Sequence, residues 1–263
     1  MDHNKYFQDR TNRNRNVINP KEQELFRNGI VGIAGLSVGS SILMTMVQNG
    51  GPKRIRIADF DVIEASNLNR LRGTVDDLGT NKTQAAAKHV RALDPEAELT
   101  LFENGITPEN LEEFVTGLDV FVDEMDSLDL KIKSRILCRK LGIPVIMATD
   151  NGDGAIVDIE RFDLEPEREI FHGRLGNIDP DTVKDLPKPQ WIEVANKIIG
   201  VEFLTPRMLA SLPEIGKTLQ GIPQLATAAA ISGGAATYAI RMILTKQPIK
   251  SGKYVISPEE IFA

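Results

Sequence analysis

Cysteine is nearly absent from this chain of 263 residues, which contains Cys138 alone. A single cysteine excludes an intramolecular disulfide and a structural zinc site built from four cysteines, and its scarcity fits a reducing, cytoplasmic setting. Long apolar runs are also missing, because no stretch of about 18 apolar residues occurs and residues 1–19 lack a signal-type apolar core. We therefore expect neither a membrane-spanning nor a targeting segment.

Positive charge is not in excess, since 31 Lys and Arg stand against 37 Asp and Glu and give a formal net charge of −6. Such a chain has no general attraction for phosphate backbones or anionic lipid, and no basic patch dominates. The sequence therefore predicts neither nucleic acid nor a membrane as partner. Hydrophobic residues make up 41% of the chain, which is enough for a sizeable core.

Apolar runs alternate with amphipathic segments through the first 150 residues. Five apolar runs predict buried strands at 30–34, 54–59, 98–102, 119–123 and 143–148. Five amphipathic segments predict helices at 21–28, 38–49, 82–93, 109–116 and 128–141. Buried strands separated by helices are typical of an α/β protein with a doubly wound, mainly parallel, Rossmann-like sheet.

The alternation ends after Asp150. Residues 152–162 predict one or two antiparallel strands, and the proline-containing stretch 163–189 predicts an ordered insertion or a lid. Helices are expected at 190–199 and 224–244, and the small residues of the second would allow close packing against a sheet or a second subunit. We expect a polar N-terminal arm at 1–19 without regular structure, a nucleotide-binding core at 20–162, and a C-terminal helical and antiparallel elaboration of the same domain at 163–263.

A glycine-containing turn follows the first predicted strand. It reads Gly35-Leu36-Ser37-Val38-Gly39, and its small residues would let backbone N–H groups and a helix N-terminus approach a phosphate or a ribose. Asp59 lies about 20 residues further on, at the end of the next predicted strand, where a carboxylate commonly accepts hydrogen bonds from ribose hydroxyls. A purely structural turn or an NAD-dependent oxidoreductase fits these residues equally well.

A polar cluster after the second strand separates these interpretations. Asp61, Asn67, Arg70 and Lys82 lie just beyond the carboxyl ends of predicted strands, where a doubly wound sheet binds its ligand. A guanidinium and an ammonium there could offset charge on a reacting triphosphate, a task that a dehydrogenase does not have. Taken singly, Arg70 and Lys82 could also be solvated surface charges.

Together with Asp126 in the stretch 123–127, these residues follow the order of a known motif. Over residues 10–160 the chain resembles the superfamily of ThiF, MoeB and the ubiquitin-activating enzymes. The resemblance implies an adenylation domain that uses ATP and Mg²⁺ to convert a carboxylate into an acyl-adenylate and pyrophosphate.

The resemblance also implies roles for individual residues. The turn with Gly35, Ser37 and Gly39, together with Asp59 and Asp61, would bind the nucleotide, with Asp59 at the ribose. Asn67, Arg70 and Lys82 would contact the phosphates, and Asp126 would bind Mg²⁺, although a helix N-cap is an alternative role for Asp126. In a homodimer, Arg13 of the N-terminal arm would reach the nucleotide of the partner subunit, with Arg10 and Arg15 as alternatives and a solvated terminus as the simpler interpretation.

The chain departs from this superfamily at sulfur and in the nucleotide motif. Ser37 replaces a glycine, Leu71 stands where a glutamine is common, and the two C-x-x-C pairs and the catalytic cysteine of many members are missing. Cys138 lies in an apolar helical stretch and is expected to be a buried, inert thiol. The adenylate would therefore pass to an external amine, thiol or sulfide.

The substrate remains open at this stage. The C-terminus of a small ubiquitin-like or sulfur-carrier protein and a small-molecule carboxylate are both compatible with the resemblance. Segments 36–39 and 171–176 resemble bacterial ThiF-type domains that are sometimes joined to a nitroreductase-like flavin domain, which leaves room for a separate flavin-domain partner. The alternatives to an adenylating enzyme are a nucleotide-binding scaffold without activity and an NAD-dependent oxidoreductase.

Overall fold

In this computed structural model, residues 2–263 are described and form seven strands and ten α-helices. The strands are β1 Ile30–Ala34, β2 Arg54–Ala58, β3 Glu98–Phe102, β4 Val120–Asp123, β5 Val145–Asn151, β6 Gly154–Glu160 and β7 Gly252–Ile256. The helices are α1 His3–Thr11, α2 Pro20–Asn28, α3 Val38–Gln48, α4 Lys82–Leu93, α5 Leu111–Val115, α6 Leu128–Leu141, α7 Lys188–Ile199, α8 Pro206–Ser211, α9 Ala226–Leu244 and α10 Pro258–Phe262.

All seven strands form one sheet in the order β3-β2-β1-β4-β5-β6-β7. The first five are parallel, whereas β6 pairs antiparallel with β5 and β7 pairs antiparallel with β6. The expected mainly parallel, Rossmann-like sheet with an antiparallel elaboration is confirmed. Strand order reverses between β1 and β4, and the carboxyl ends flanking such a reversal form the ligand crevice of this fold class.

The sheet is covered on both faces because its strands are apolar on both sides. In β4, Val120 and Val122 join the core beneath α3 and α9, while Phe121 joins the core that includes Phe114 of α5 and Ile132 of α6. This alternation follows the two-residue period of a strand.

Helix α9 packs against the sheet through its small residues. A Cβ atom at Gly233 would lie 2.9 Å from the backbone oxygen of Ser41 in α3, so only glycine permits this approach. Thr237 of α9 also donates a hydrogen bond of 3.3 Å to the Ile42 oxygen. Ala236 of α9 is also buried in the core that contains Val157 of β6, so close packing of this segment against the sheet, one of the two expected roles, is observed.

The N-terminal arm is structured, contrary to the expectation from its polar sequence. Its helix α1 is held by the Tyr6 hydroxyl, which donates to the Leu93 oxygen at 2.8 Å, and by Arg10, which donates to the Val47 oxygen at 2.6 Å. Arg10 also pairs with Asp94 at 3.1 Å. Polar side chains anchor this helix, so it lacks the apolar stripe by which a helix is recognised in a sequence.

The C-terminal region contains elements that periodicity does not predict. Strand β7 and the short helices α8 and α10 fall in this group. They are five or six residues long, too short for a helical or alternating period to be distinctive. Among residues 2–263, no helix combines the length and the apolar character needed to cross a membrane.

Candidate active site

A cavity of about 560 Å³ lies at the carboxyl ends of β1, β4 and β5. Its lining includes two chemically different groups of side chains. The polar group comprises Ser37, Asp61, Asn67, Arg70, Lys82, Asp126 and Asp150. The apolar group comprises Met125, Leu128, Met147, Trp191, Ala195 and Ile198.

The glycine turn brings the end of β1 against the loop that follows β4. Gly35 has a φ of +93°, and a Cβ atom there would lie 2.2 Å from the backbone oxygen of Glu124. Only glycine tolerates both conditions. The turn leads into α3, whose N-cap Ser37 and first residue Val38 border the cavity, and the first turn of a helix carries backbone N–H groups without intrahelical partners. Gly39 lies within α3 against Ile33, and a Cβ atom there would be 3.0 Å from that side chain.

Arg70 is held over the glycine turn. Its Nε donates to the Ser37 hydroxyl at 3.1 Å, and its Nη1 donates to the Ser66 oxygen at 3.0 Å and to Asn69 Oδ1 at 2.9 Å. The loop that carries Arg70 is itself packed, because Leu71 is buried in a small apolar cluster. The guanidinium is therefore positioned before any ligand binds.

Lys82 begins α4 and pairs with two carboxylates from the end of β2. Its Nζ lies 2.7 Å from Asp61 and 3.6 Å from Asp59. Asp59 also accepts the Leu36 N–H at 2.7 Å and the Asp61 N–H at 2.9 Å. Burial raises the pKa of Asp59, and the charge of Lys82 opposes the rise. Asp61 lines the cavity, whereas Asp59 is buried behind it and positions the glycine turn and Lys82.

Asn67 and Asp126 complete the predicted polar set. Asn67 is half-buried, and its Oδ1 accepts the Glu64 N–H at 3.0 Å, which closes the short turn before Arg70. Asp126 is exposed and lines the cavity. The N-cap of α6 is Ser127, so the alternative role of Asp126 as that N-cap is wrong.

Two carboxyl groups that line the cavity, those of Glu124 and Asp150, were missed by the motif reasoning. Glu124 Oε1 accepts the Ala148 N–H at 2.7 Å, and burial raises the pKa of Glu124 well above its usual range. Asp150 accepts hydrogen bonds from Ser232 at 3.1 Å and Gln224 at 3.3 Å. Burial also raises the pKa of Asp150. Glu124 directly follows the predicted strand 119–123, and Asp150 lies two residues after the predicted strand 143–148. Their positions after strand ends were the sequence signal that could have identified them.

Residues 163–187, for which an ordered insertion or a lid was expected, do not line the cavity. The stretch 163–187 packs against α6, where Ile170, Phe171 and Val183 are buried in the core that contains Cys138. The lid interpretation is therefore wrong for these residues, although the insertion is ordered. The cavity is lined instead by α7 and by residues 215–224, and the Gln224 oxygen accepts a hydrogen bond of 2.8 Å from Asn69.

Two further predicted residues lie outside the cavity. Arg13 is exposed in the short turn Asn12–Asn14, so its suggested role depends on a partner subunit. Cys138 is a free, buried thiol in α6, as expected, and burial raises its pKa. Because the nucleophile is the thiolate, this rise suppresses its reactivity.

The sheet, the glycine turn and the cavity at the switch point define a Rossmann-like α/β protein with its ligand crevice at the carboxyl ends of the parallel strands. The sequence model of the ThiF family matches residues 11–259, and the chain belongs to this family.

Two relatives show how far the similarity extends. The Uncharacterized protein MT1398 of Mycobacterium tuberculosis (strain CDC 1551 / Oshkosh) is 41% identical over 244 residues, which are 93% of this chain and 34% of that relative. The chain thus spans only about a third of the length of that protein. The SAMP-activating enzyme E1 of Haloferax volcanii is 34% identical over 196 residues, 73% of this chain and 69% of the enzyme.

A solved structure shares the fold. The E. coli tRNA N6-threonylcarbamoyladenosine dehydratase in complex with ATP superposes with a TM-score of 0.63 at 16% identity, covering 91% of this chain and 95% of the dehydratase. At this level of identity the likeness shows the fold alone.

Proposed function

We propose that this protein is an ATP-dependent adenylyltransferase that activates a carboxylate. The observation that carries the proposal is the convergence of Arg70, Lys82, Asp126 and the N-terminal end of α3 on one cavity. The open backbone amides suit the phosphates of ATP or NAD alike, whereas two cations beside them suit a reacting triphosphate, a task that a nicotinamide oxidoreductase does not have. The ATP complex of the E. coli dehydratase supports ATP as the nucleotide.

The reaction transfers the adenylyl group of ATP. A carboxylate oxygen attacks the α-phosphorus, the bond to the bridging oxygen of the pyrophosphate breaks, and pyrophosphate leaves with the electron pair. Asn67, Arg70 and Lys82 contact the phosphates, and the two cations offset the negative charge that develops on the phosphoryl oxygens. The turn from Gly35 through Ser37 to Gly39 approaches the phosphates, and Asp61 borders the nucleoside end of the cavity. Asp59, predicted at the ribose, is buried behind Asp61 and positions the turn and Lys82.

The residues present fit Mg²⁺ as the accompanying ion. Among residues 2–263, no group of three or more His, Cys, Asp or Glu side chains could hold a metal by itself, and Asp126 offers one exposed carboxylate in the cavity. Mg²⁺ in nucleotide sites typically takes one or two carboxylates together with substrate phosphates and water. Asp126 would hold the ion, which supplies positive charge to the phosphate oxygens.

The acceptor of the acyl group lies outside this chain. Its one cysteine is buried, so the adenylate passes to an external amine, thiol or sulfide rather than to a thiol of the enzyme. The C-terminus of a small ubiquitin-like or sulfur-carrier protein is one candidate carboxylate, supported by the likeness to an E1-type activating enzyme, and a small-molecule carboxylate is the other. Core residues 20–162 carry this chemistry, while 163–263 complete the same domain.

A homodimer belongs to the proposal. Arg13 is the arm residue proposed to reach the partner's nucleotide, with Arg15, which is also exposed, as the alternative, whereas Arg10 is tied to Val47 and Asp94.

Calorimetric titration tests the nucleotide site. The purified chain should bind ATP with Mg²⁺ and ignore NAD(H), and Arg70→Ala and Asp126→Asn should each weaken ATP binding about tenfold or more, since each removes a charged contact. Matched controls are Arg207→Ala and Asp76→Asn, which change exposed residues outside the cavity and should leave the affinity unchanged. Binding of NAD in place of ATP would overturn the proposal. If ATP binds, exchange of pyrophosphate into ATP in the presence of a panel of carboxylates tests catalysis.

A further inference from the structure

The apolar group forms one continuous wall of the cavity. Half-buried Met125, Trp191 and Ala195 pack against the core cluster that contains Leu128, Met147 and Ile198. Trp191, Ala195 and Ile198 are separated by four and three residues on α7, so they lie on one face of that helix. This wall of the cavity is therefore preformed for an apolar ligand.

The nucleotide does not account for this wall. In the proposed complex, the phosphates lie at the turn after β1 and the nucleoside extends toward Asp59 at the end of β2. The sheet order places β2 on one side of β1, whereas β4, β5 and the apolar group lie on the other. The apolar group therefore faces the side of the phosphates opposite the nucleoside, where the second substrate of an adenylation must enter.

A cation lies at the border between the two groups. Lys131 lines the cavity three residues after Leu128 on α6, and its Nζ is 3.4 Å from Met147 Sδ and 3.1 Å from Asp123. Asp123 also pairs with Arg135, so its charge is shared between two cations. Because an ammonium has three N–H donors, Lys131 can bind a further carboxylate while it stays paired with Asp123.

We propose that the apolar group binds the body of a small carboxylic acid whose carboxylate is held at Lys131, beside the phosphates. This inference rests on the proposed adenylation and names its substrate class. The chemistry of the wall disfavours a protein C-terminus, because an extended peptide carries an N–H and a C=O at each residue that need partners. The methionine, leucine, isoleucine and alanine side chains of the wall offer no such partners, and Trp191 offers one N–H donor and no acceptor, while all of them match a hydrocarbon chain or an aromatic ring.

Fluorescence provides a direct test, because Trp191 is the only tryptophan of the chain. The full chain is titrated, without ATP, with straight-chain acids from acetate to octanoate while the emission of Trp191 is followed. The expected result is a saturable change whose Kd falls about fourfold for each added methylene, the factor that corresponds to burial of one CH₂ group.

Variants separate the two parts of the site. Ala195→Phe fills the space beside Trp191 and should raise the Kd for octanoate about tenfold or more, whereas the matched Ala210→Phe, on an exposed position of α8, should leave it unchanged. Lys131→Gln should abolish the preference for octanoate over octanamide while retaining the dependence on chain length. Far-ultraviolet circular dichroism and thermal melts identify any variant that fails to fold.

Several outcomes would overturn this inference. Affinity independent of chain length refutes the apolar site, as does tighter binding of a hexapeptide with a free C-terminal carboxylate. If ATP alone produces the same change in the emission of Trp191, and Ala195→Phe abolishes that change, the wall binds the nucleobase and not a second substrate.

The proposed function fails in a different way. If octanoate binds as expected but no member of the carboxylate panel supports exchange of pyrophosphate into ATP, the apolar site stands and adenylation of small carboxylic acids is refuted. If short polar acids support exchange without any dependence on chain length, adenylation stands and the apolar site is refuted.

Discussion

At the scale of single residues, Glu124 is a carboxyl group held inside a nucleotide-type cavity. Burial raises its pKa well above the usual range, the neighbouring carboxylates of Asp123 and Asp150 add to the rise, and the Ala148 N–H and Lys131 oppose it. Glu124 therefore retains its proton to higher pH in the folded protein than in the unfolded chain, where a glutamate ionises near a pH of about 4.3.

This difference makes the effect of Glu124→Gln on stability depend on pH. Above the unfolded pKa the folded state binds more protons than the unfolded state, so the free energy of unfolding of the wild type falls as pH rises toward the folded pKa. Glutamine cannot ionise and keeps the oxygen that accepts the Ala148 N–H. The variant should be more stable than the wild type at neutral pH, with the advantage vanishing below a pH of about 4.

Urea unfolding between pH 4 and pH 8 measures this difference. The control Glu24→Gln changes an exposed glutamate on α2 and should show no comparable trend. A stability difference for Glu124→Gln that stays constant across this pH range would contradict the raised pKa.

At the scale of elements, the turn between β1 and α3 depends on Gly35. A residue with a side chain pays about 1–2 kcal/mol for a left-handed backbone, and here its Cβ atom would also overlap the Glu124 oxygen at 2.2 Å. Gly35→Ala should therefore lower the free energy of unfolding by at least about 3 kcal/mol and displace the N-terminal end of α3 from the cavity.

The matched control for this turn is Gly117→Ala. Gly117 has a φ of +80°, and among the described residues no heavy atom beyond its chain neighbours lies within 4 Å of a Cβ atom placed there. It should show the backbone penalty alone. Equal losses of stability in the two variants, measured by urea unfolding, would show that the contact with Glu124 is unimportant.

At the scale of the whole molecule, Arg135 connects strand β4, at whose carboxyl end the cavity lies, with the insertion 163–189. This fully buried residue of α6 pairs with Asp123 of β4 and with Glu160 of β6 at 2.6 Å, and its guanidinium lies 4.0 Å from the ring centre of Phe171. Burial alone would lower the pKa of Arg135, but the carboxylates of Glu160 and Asp123 raise it above its usual range. Arg135 is therefore charged in the folded protein at any ordinary pH.

Removing this charge should destabilise the whole protein. Arg135→Met leaves buried Glu160 without its cation and leaves Asp123 with Lys131 alone, and breaking a buried pair in this way typically costs about 3–5 kcal/mol. The control Arg139→Met changes a half-buried arginine one turn later on α6 and should cost much less. Thermal and urea unfolding report the difference, and an Arg135→Met protein as stable as Arg139→Met would show that the ion network contributes no net stability.

The arrangement of the polar group illustrates what sequence reasoning could reach. Arg70 and Lys82 were predicted together because they follow strand ends, and parallel strands bring their carboxyl ends to one edge of the sheet, while Asp126 was added by the resemblance to a known motif. Their roles in binding ATP and Mg²⁺ stay predictions. Asp59 was predicted at the ribose, but its burial behind Asp61 depends on the hydrogen bonds of the turn, which a strand pattern does not contain.

Other features depended on contacts between distant parts of the chain. Helix α1 is held by Leu93 and Asp94, and Trp191 reaches the cavity because the intervening insertion packs against α6. Neither contact leaves a periodic signal in the local sequence. Of the two expectations for residues 163–189, an ordered insertion or a lid, the sequence therefore could not select the first.

The sequence by itself determined the class of the sheet, the glycine turn and the candidate polar residues, because apolar periodicity and strand-end positions are properties of short segments. Only the tertiary structure decided that Glu124, Lys131 and Trp191 share a cavity with Arg70. They come from the loop after β4, from α6 and from α7, and their proximity depends on strand order and on how the C-terminal segments pack. Those are properties of the whole folded chain, because contacts between remote segments form only when all of them are in place.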